Sequence, residues 1–244
     1  MGLFLGLLIA VFSLNLLRNS LNQHVYHSLF VATKSHQTAT LLFALLFLPG
    51  VALHELSHWV MAKLLFVKTH RFSLIPAWTG EGEIRFGFVE ISKTDGIRSA
   101  LIAIAPLVSG IVAILWLAFT HLHLDILLEG ITNLDSSIVS DGIKIYLQTP
   151  DVLLWSYLLL AISNTMLPSA SDRKAWLPAG IIFLLIYAIL VGLSFGSDTG
   201  QYLVDLARGL AQTLLRAFSI AVMLNLLLLI PLWILERILK REGR

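Results

Sequence analysis

His54-Glu55-Leu56-Ser57-His58 is an HExxH sequence. On an α-helix, residues four apart share a face, so His54 and His58 can grip one metal ion between their imidazoles. Glu55 falls beside them, where its carboxylate can take a proton from a water whose pKa the metal lowers. The hydroxide so formed can attack a peptide carbonyl, which is metalloprotease chemistry. The bland alternative is a pair of histidines satisfied by neighbouring carbonyls. Two His and one Glu in consecutive turns of an apolar segment, however, are expensive unless they bind something.

Two histidines do not complete a catalytic zinc site, which usually has three protein ligands and a water. The chain has no cysteine, so the remaining strong ligands are His, Asp and Glu. Asp172 is the best third ligand, because it follows an inward-running span whose end should sit level with His58. It could instead cap the helix that follows. Asn164, inside an apolar span, is costly to bury alone. It could hydrogen-bond a substrate backbone, stabilise an oxyanion, or bond another helix. His24, His27 and His36 match no tight ligand pattern and read as solvated loop histidines.

These residues must be positioned by membrane helices. With 57% hydrophobic and 13% charged residues and a mean hydropathy of +0.83, too little polar surface remains to coat a soluble globule. A net charge of +2 with no basic block excludes a nucleic-acid-binding surface. Apolar runs predict six spans at about 1–17, 40–66, 98–119, 152–167, 176–195 and 217–235. Residues 18–38 and 121–151 read as polar connections. Pro49-Gly50 is expected to kink the second span just before the motif. Between spans two and three, residues 71–75 and 83–91 are rich in strand formers and flank the turn-forming Thr79-Gly80-Glu81-Gly82, which predicts a membrane-associated β-hairpin. The fold class is thus an all-α membrane protein with one hairpin, in a single domain over 1–244 with its core at 40–195 and no separate soluble domain.

The basic tail 237–244, Arg173-Lys174, and Lys68, Arg71, Arg85, Lys93 and Arg98 in the hairpin segment are expected to face the cytoplasm. Six spans then leave both termini cytoplasmic, in a multi-pass protein of the cell membrane. His54 lies about 15 residues from the outer end of its span, or roughly 22 Å at 1.5 Å per residue. Against a hydrocarbon core of about 30 Å, the metal is expected some 8 Å below the cytoplasmic surface.

The HExxH in a membrane helix, a following β-hairpin, Ile91-Ser92-Lys93-Thr94 leading into a span with Ala105-Pro106-Leu107, and Asn164 eight residues before Asp172 together resemble the site-2 protease family of intramembrane zinc metalloproteases. The resemblance covers about 40–172 in the family's order. It implies one zinc ion held by His54, His58 and Asp172, with Glu55 as the catalytic residue that activates water and Asn164 positioning the substrate, a transmembrane or membrane-anchored protein. Two other classes stay open on the sequence. One is a catalytically idle relative that binds membrane segments. The other is a metal or proton transporter using buried His and Asp as a relay, although no repeated half is visible.

Overall fold

The structure, a computed structural model, describes residues 2–74, 77–78, 84–85, 87–167, 172, 189, 192 and 198–242. Helix α1 covers Gly2–Thr33 without interruption. The stretch 18–33, expected to be a polar connection, is therefore helical. Its buried stripe of Ala10, Leu14, Leu21 and Val25 runs straight through the polar residues, and packing of that stripe fixes the helix where composition alone favours a loop.

Helix α2 (His36–Leu46) opens on Ser35, whose hydroxyl accepts from the Thr38 amide at 3.3 Å. It ends at Phe47, and α3 (Leu48–Leu64) begins there with Pro49 in its first turn, where a missing N–H costs nothing. The two axes differ by 67°. The expected kink is thus a full break, and the distance from Thr40 to His54 along either axis is shorter than the 22 Å of a straight helix.

After α3, β1 (Thr69–Ser73), β2 (Ala77–Trp78), β3 (Ile84–Arg85) and β4 (Phe88–Ile91) form antiparallel pairs. β1 pairs with β4 through Thr69↔Ile91, Phe72↔Val89 and Ser73↔Phe88, with an irregularity between Thr69 and Phe72. β2 pairs with β3 through Ala77↔Arg85 and Trp78↔Ile84. The expected turn residues 79–82 lie outside the described residues.

Helix α4 (Gly96–Trp116) starts on Asp95, whose carboxylate accepts from the Arg98 amide at 2.9 Å. That backbone N–H, ahead of the neighbouring Arg98 charge, holds the Asp95 carboxyl below the usual carboxylate range. A π-helical turn, Leu117–His121, ends it. The region expected to be a polar connection then folds as α5 (Leu124–Thr132) and α6 (Ser136–Gln148). The two cross closely, since a Cβ on Gly130 would lie 2.6 Å from the Val139 amide nitrogen and one on Gly142 would lie 3.0 Å from Leu127 Cα. Helix α7 (Val152–Thr165) leaves α6 at 102°.

Helix α8 spans Asp198–Glu242 and takes in both the expected connection 198–205 and the last expected span. It packs against α1 with both helices running the same way. Gly6 lies against Leu215, whereas Leu21 and Val25 share a buried cluster with Leu228, Leu229 and Leu232, so residue numbers rise together along the pair. This bears directly on the expected topology. Two helices that cross a membrane in the same direction have an odd number of crossings between them. The six-span arrangement, with both termini on one side, places four there. Among the described residues, three helices are long and apolar enough to cross a bilayer, or five if each bent pair is one span. The five-crossing count puts three between α1 and α8 and satisfies their packing. The expected span 176–195 falls almost wholly outside the described residues.

The main core gathers residues of α1, α4, α7 and α8 around Leu14, Ile114, Leu122, Leu159 and Ile220. It holds α3, α4 and α7 in register at one place, where the sequence motif lies.

Candidate metal centre

Three helices meet around His54 and His58. Gly50, one turn before His54, lets α3 approach α7 so closely that a Cβ there would collide with the Ala161 carbonyl and the Thr165 hydroxyl. On the opposite flank, the Ser57 and Ser109 hydroxyls meet at 2.6 Å and tie α3 to α4. Gly110 in α4 similarly accepts the Met166 side chain at the end of α7. Small residues are what permit such approaches within a bilayer.

These approaches orient both imidazoles. His54 Nδ1 lies 2.8 Å from the Thr165 carbonyl oxygen, and His58 Nδ1 lies 2.8 Å from that of Ile102. A carbonyl only accepts, so each Nδ1 carries the proton and donates it, which leaves each Nε2 with a lone pair. Helices α7 and α4 therefore set the tautomers of the two histidines on α3. Carbonyl partners of this kind hold metal-ligating histidines in place.

Both lone pairs face the same point. The two Nε2 atoms are 3.2 Å apart. Asp172 lies beyond them, with Oδ2 3.6 Å from His54 Nε2 and Oδ1 3.5 Å from His58 Nε2. Among the described residues, these three form a group whose ligand atoms all lie within 4.8 Å of one another. With both imidazoles neutral, three acceptors face one point and repel unless a cation, a metal ion or a proton, sits between them. Tetrahedral coordination with bonds of about 2.0–2.2 Å puts ligand atoms about 3.3–3.6 Å apart; the two Nε2 atoms, 3.2 Å apart, are close to that spacing, and each lies 3.5–3.6 Å from a different oxygen of the Asp172 carboxylate. The residues present fit a metal ion, with the fourth direction left to a water or substrate.

Glu55 is half-buried beside this triangle, within electrostatic reach of His54, His58 and Asp172. Gly87, which enters β4, closes the other side: a Cβ there would lie 2.9 Å from Glu55 Cγ and 3.0 Å from Val51 Cγ1. The strand pair thus lies directly against the helix that carries the motif.

Asn164 is placed differently. It is 4% exposed, and its amide nitrogen donates to the Leu160 carbonyl at 3.0 Å and to Asn225 Oδ1 of α8 at 3.1 Å. Asn225, fully buried, donates in turn to the Ser163 hydroxyl at 3.3 Å and the Ala221 carbonyl at 2.8 Å. The interhelical bond foreseen as one alternative is therefore present. Sequence reasoning passed over Asn225, although a lone amide inside the apolar run 217–235 carries the same signal as Asn164. It also passed over the roles of Ser57, Ser109 and Gly87, which need the neighbouring element to be visible.

No known family, curated protein or solved structure matches this chain.

Proposed function

We propose that the chain is an intramembrane zinc metalloprotease that hydrolyses peptide bonds of membrane-anchored proteins. The observation that carries this reading is the convergence of His54, His58 and Asp172 beside Glu55. The donor set supports zinc: two imidazoles and a carboxylate are a common catalytic set for that ion. A zinc ion held there supplies Lewis acidity, polarising the scissile carbonyl and acidifying a water. Thr165 and Ile102 keep both imidazoles in the ligating tautomer. Glu55 accepts the proton of the attacking water and passes it to the leaving amine.

A helical substrate hides its carbonyls behind its own hydrogen bonds and must unwind locally to react. Among the described residues β1 and β4 each have one partner strand, which supports an edge able to hold the opened segment by strand addition. Among the described residues the membrane arrangement has five crossings, of α1, α2–α3, α4, α6–α7 and α8, in a cell membrane. The basic hairpin segment, with Lys68, Arg71, Lys93 and Arg98, faces the cytoplasm. The N-terminus then lies on that side and the end of α8 on the other, against the pull of the basic tail.

The test uses purified protein in liposomes with single-span membrane protein reporters and mass-spectrometric detection of fragments. Wild type cleaves, a chelator stops it and zinc restores it. Glu55→Gln keeps its metal and loses activity by about 10²–10⁴-fold, the worth of a general base. Undiminished cleavage by that variant overturns the assignment.

A further inference from the structure

A proline inside a helix removes one hydrogen bond, because its nitrogen has no hydrogen for the carbonyl four residues earlier, and its ring crowds that carbonyl. Pro106 lies in the interior of α4 and is buried. The carbonyl it deprives is that of Ile102, a residue 3% exposed. An unpaired carbonyl inside a bilayer is costly, and membrane helices tolerate proline where a neighbouring helix supplies the missing donor. The donor here is His58 Nδ1 of α3, 2.8 Å from the Ile102 oxygen.

The partner of the other imidazole is of the same kind. Thr165 is the last residue of α7, and the last four carbonyls of a helix have no amide of that helix to accept. His54 Nδ1 takes this one, at 2.8 Å. Both histidines are thus held by carbonyls that α7 and α4 leave unpaired, one at a helix end and the other at a proline. A helix end leaves four such carbonyls, whereas a proline in mid-helix frees one, and that one is the acceptor His58 reaches. A strong acceptor is needed there. Asp172 Oδ1 lies 3.5 Å from His58 Nε2 and would draw the imidazole proton to that nitrogen, whose lone pair a metal needs. A carbonyl already bonded along its own helix competes less well for the Nδ1 hydrogen than one with both lone pairs open.

We propose that Pro106 is a positioning residue of the metal centre: by withholding an N–H from α4 it leaves the Ile102 carbonyl open to hold His58 with its proton on Nδ1. A common reason for proline in a membrane helix is a bend or the packing of its ring. The two roles separate chemically, since the ring can be removed without restoring the hydrogen. The consequence for zinc affinity rests on the zinc site proposed above, whereas the tautomer of His58 does not.

Two replacements make that separation in the full chain in nanodiscs. Pro106→Ala restores the N–H, and alanine is the better helix former, so the variant folds. Lactic acid at position 106, introduced by nonsense suppression, has the alanine side chain but an ester oxygen in place of the N–H. It loses the ring as alanine does and still cannot donate. Competition with a chromophoric chelator should show zinc held about 10-fold more weakly in Pro106→Ala, the lower end of the effect of a lost histidine partner, and as tightly as in wild type in the ester. Nitrogen NMR on isotope-labelled histidine, in the metal-free protein at alkaline pH where imidazoles are neutral, reads which ring nitrogen of His58 carries the proton; His58→Gln assigns the signal. The proton should sit on Nδ1 in wild type and in the ester, and move to Nε2 in a measurable fraction of Pro106→Ala. Equal zinc affinity in all three forms overturns the proposal, and so does equal weakening by both replacements, which would make the ring the cause. A His58 that keeps its proton on Nδ1 in Pro106→Ala as fully as in wild type overturns it as well. A wild type that binds no zinc overturns the zinc site instead, and the tautomers then decide the role of Pro106 alone.

Discussion

Gly50→Ala tests whether the contact between α3 and α7 tunes the metal site from a distance. The added Cβ would lie 2.6 Å from the Ala161 carbonyl carbon, against 3.4 Å for the nearest ordinary contact. The helices must then separate by at least about 0.8 Å, since the obstacle is backbone and cannot rotate away. Thr165 is one turn beyond Ala161 on the same helix, and its carbonyl holds His54 Nδ1 at 2.8 Å. The same displacement stretches that bond to about 3.6 Å, beyond hydrogen-bonding distance. Overpacking of this kind costs about 1–3 kcal/mol of stability. Loss of a partner that orients a metal-bound histidine lowers metal affinity by about 10–100-fold. Competition with a chromophoric zinc chelator in detergent measures the second effect, and a thermal scan the first. Gly209→Ala in α8, where an added Cβ meets nothing within 4 Å, serves as control and should change neither. Wild-type zinc affinity in a folded Gly50→Ala would refute the coupling between helix spacing and histidine orientation.

Two further outcomes follow from the architecture. Asn225→Leu removes the bond that the Asn164 amide makes across to α8 and the donor to the Ser163 hydroxyl, leaving each with its bond to the Leu160 carbonyl, and should cost about 1–3 kcal/mol by denaturant titration in mixed micelles; adding Asn164→Leu should recover part of that loss, and strict additivity would contradict a shared network. Parallel packing of α1 with α8 predicts that short tags at the two chain ends are labelled from opposite sides of sealed vesicles. Labelling of both from one side would instead restore an even number of crossings.

How far the sequence carries can be seen at particular residues. That His54 and His58 share a face is legible because helix periodicity is a local rule, and that Asp172 lies near them because it follows a span expected to end level with His58. Strand-forming residues mark 71–75 and 83–91, and the paired strands fall at 69–73, 77–78, 84–85 and 88–91. Residues 18–33 were not, because Arg18 and Asn22 look like loop residues until α1 is seen to turn them towards the cavity that Phe43 and Phe47 also line while Leu14 and Leu21 face α8. Helices α5 and α6 were hidden by their acidic composition, which is compatible with an amphipathic pair packed through Gly130 and Gly142. The direction of α8 relative to α1 is a tertiary property, and no pattern within either helix encodes it. The positive-inside orientation rests on a count of six spans, of which the described residues supply three, or five if each bent pair is one span.

The central claim is that His54, His58 and Asp172 hold one metal ion. Elemental analysis of the purified chain beside Asp172→Ala tests it most directly. The proposed function predicts one zinc per wild-type chain, retained in Glu55→Gln and lost in Asp172→Ala. A wild type without metal, or an Asp172→Ala variant that keeps a full complement, would contradict the three-ligand site.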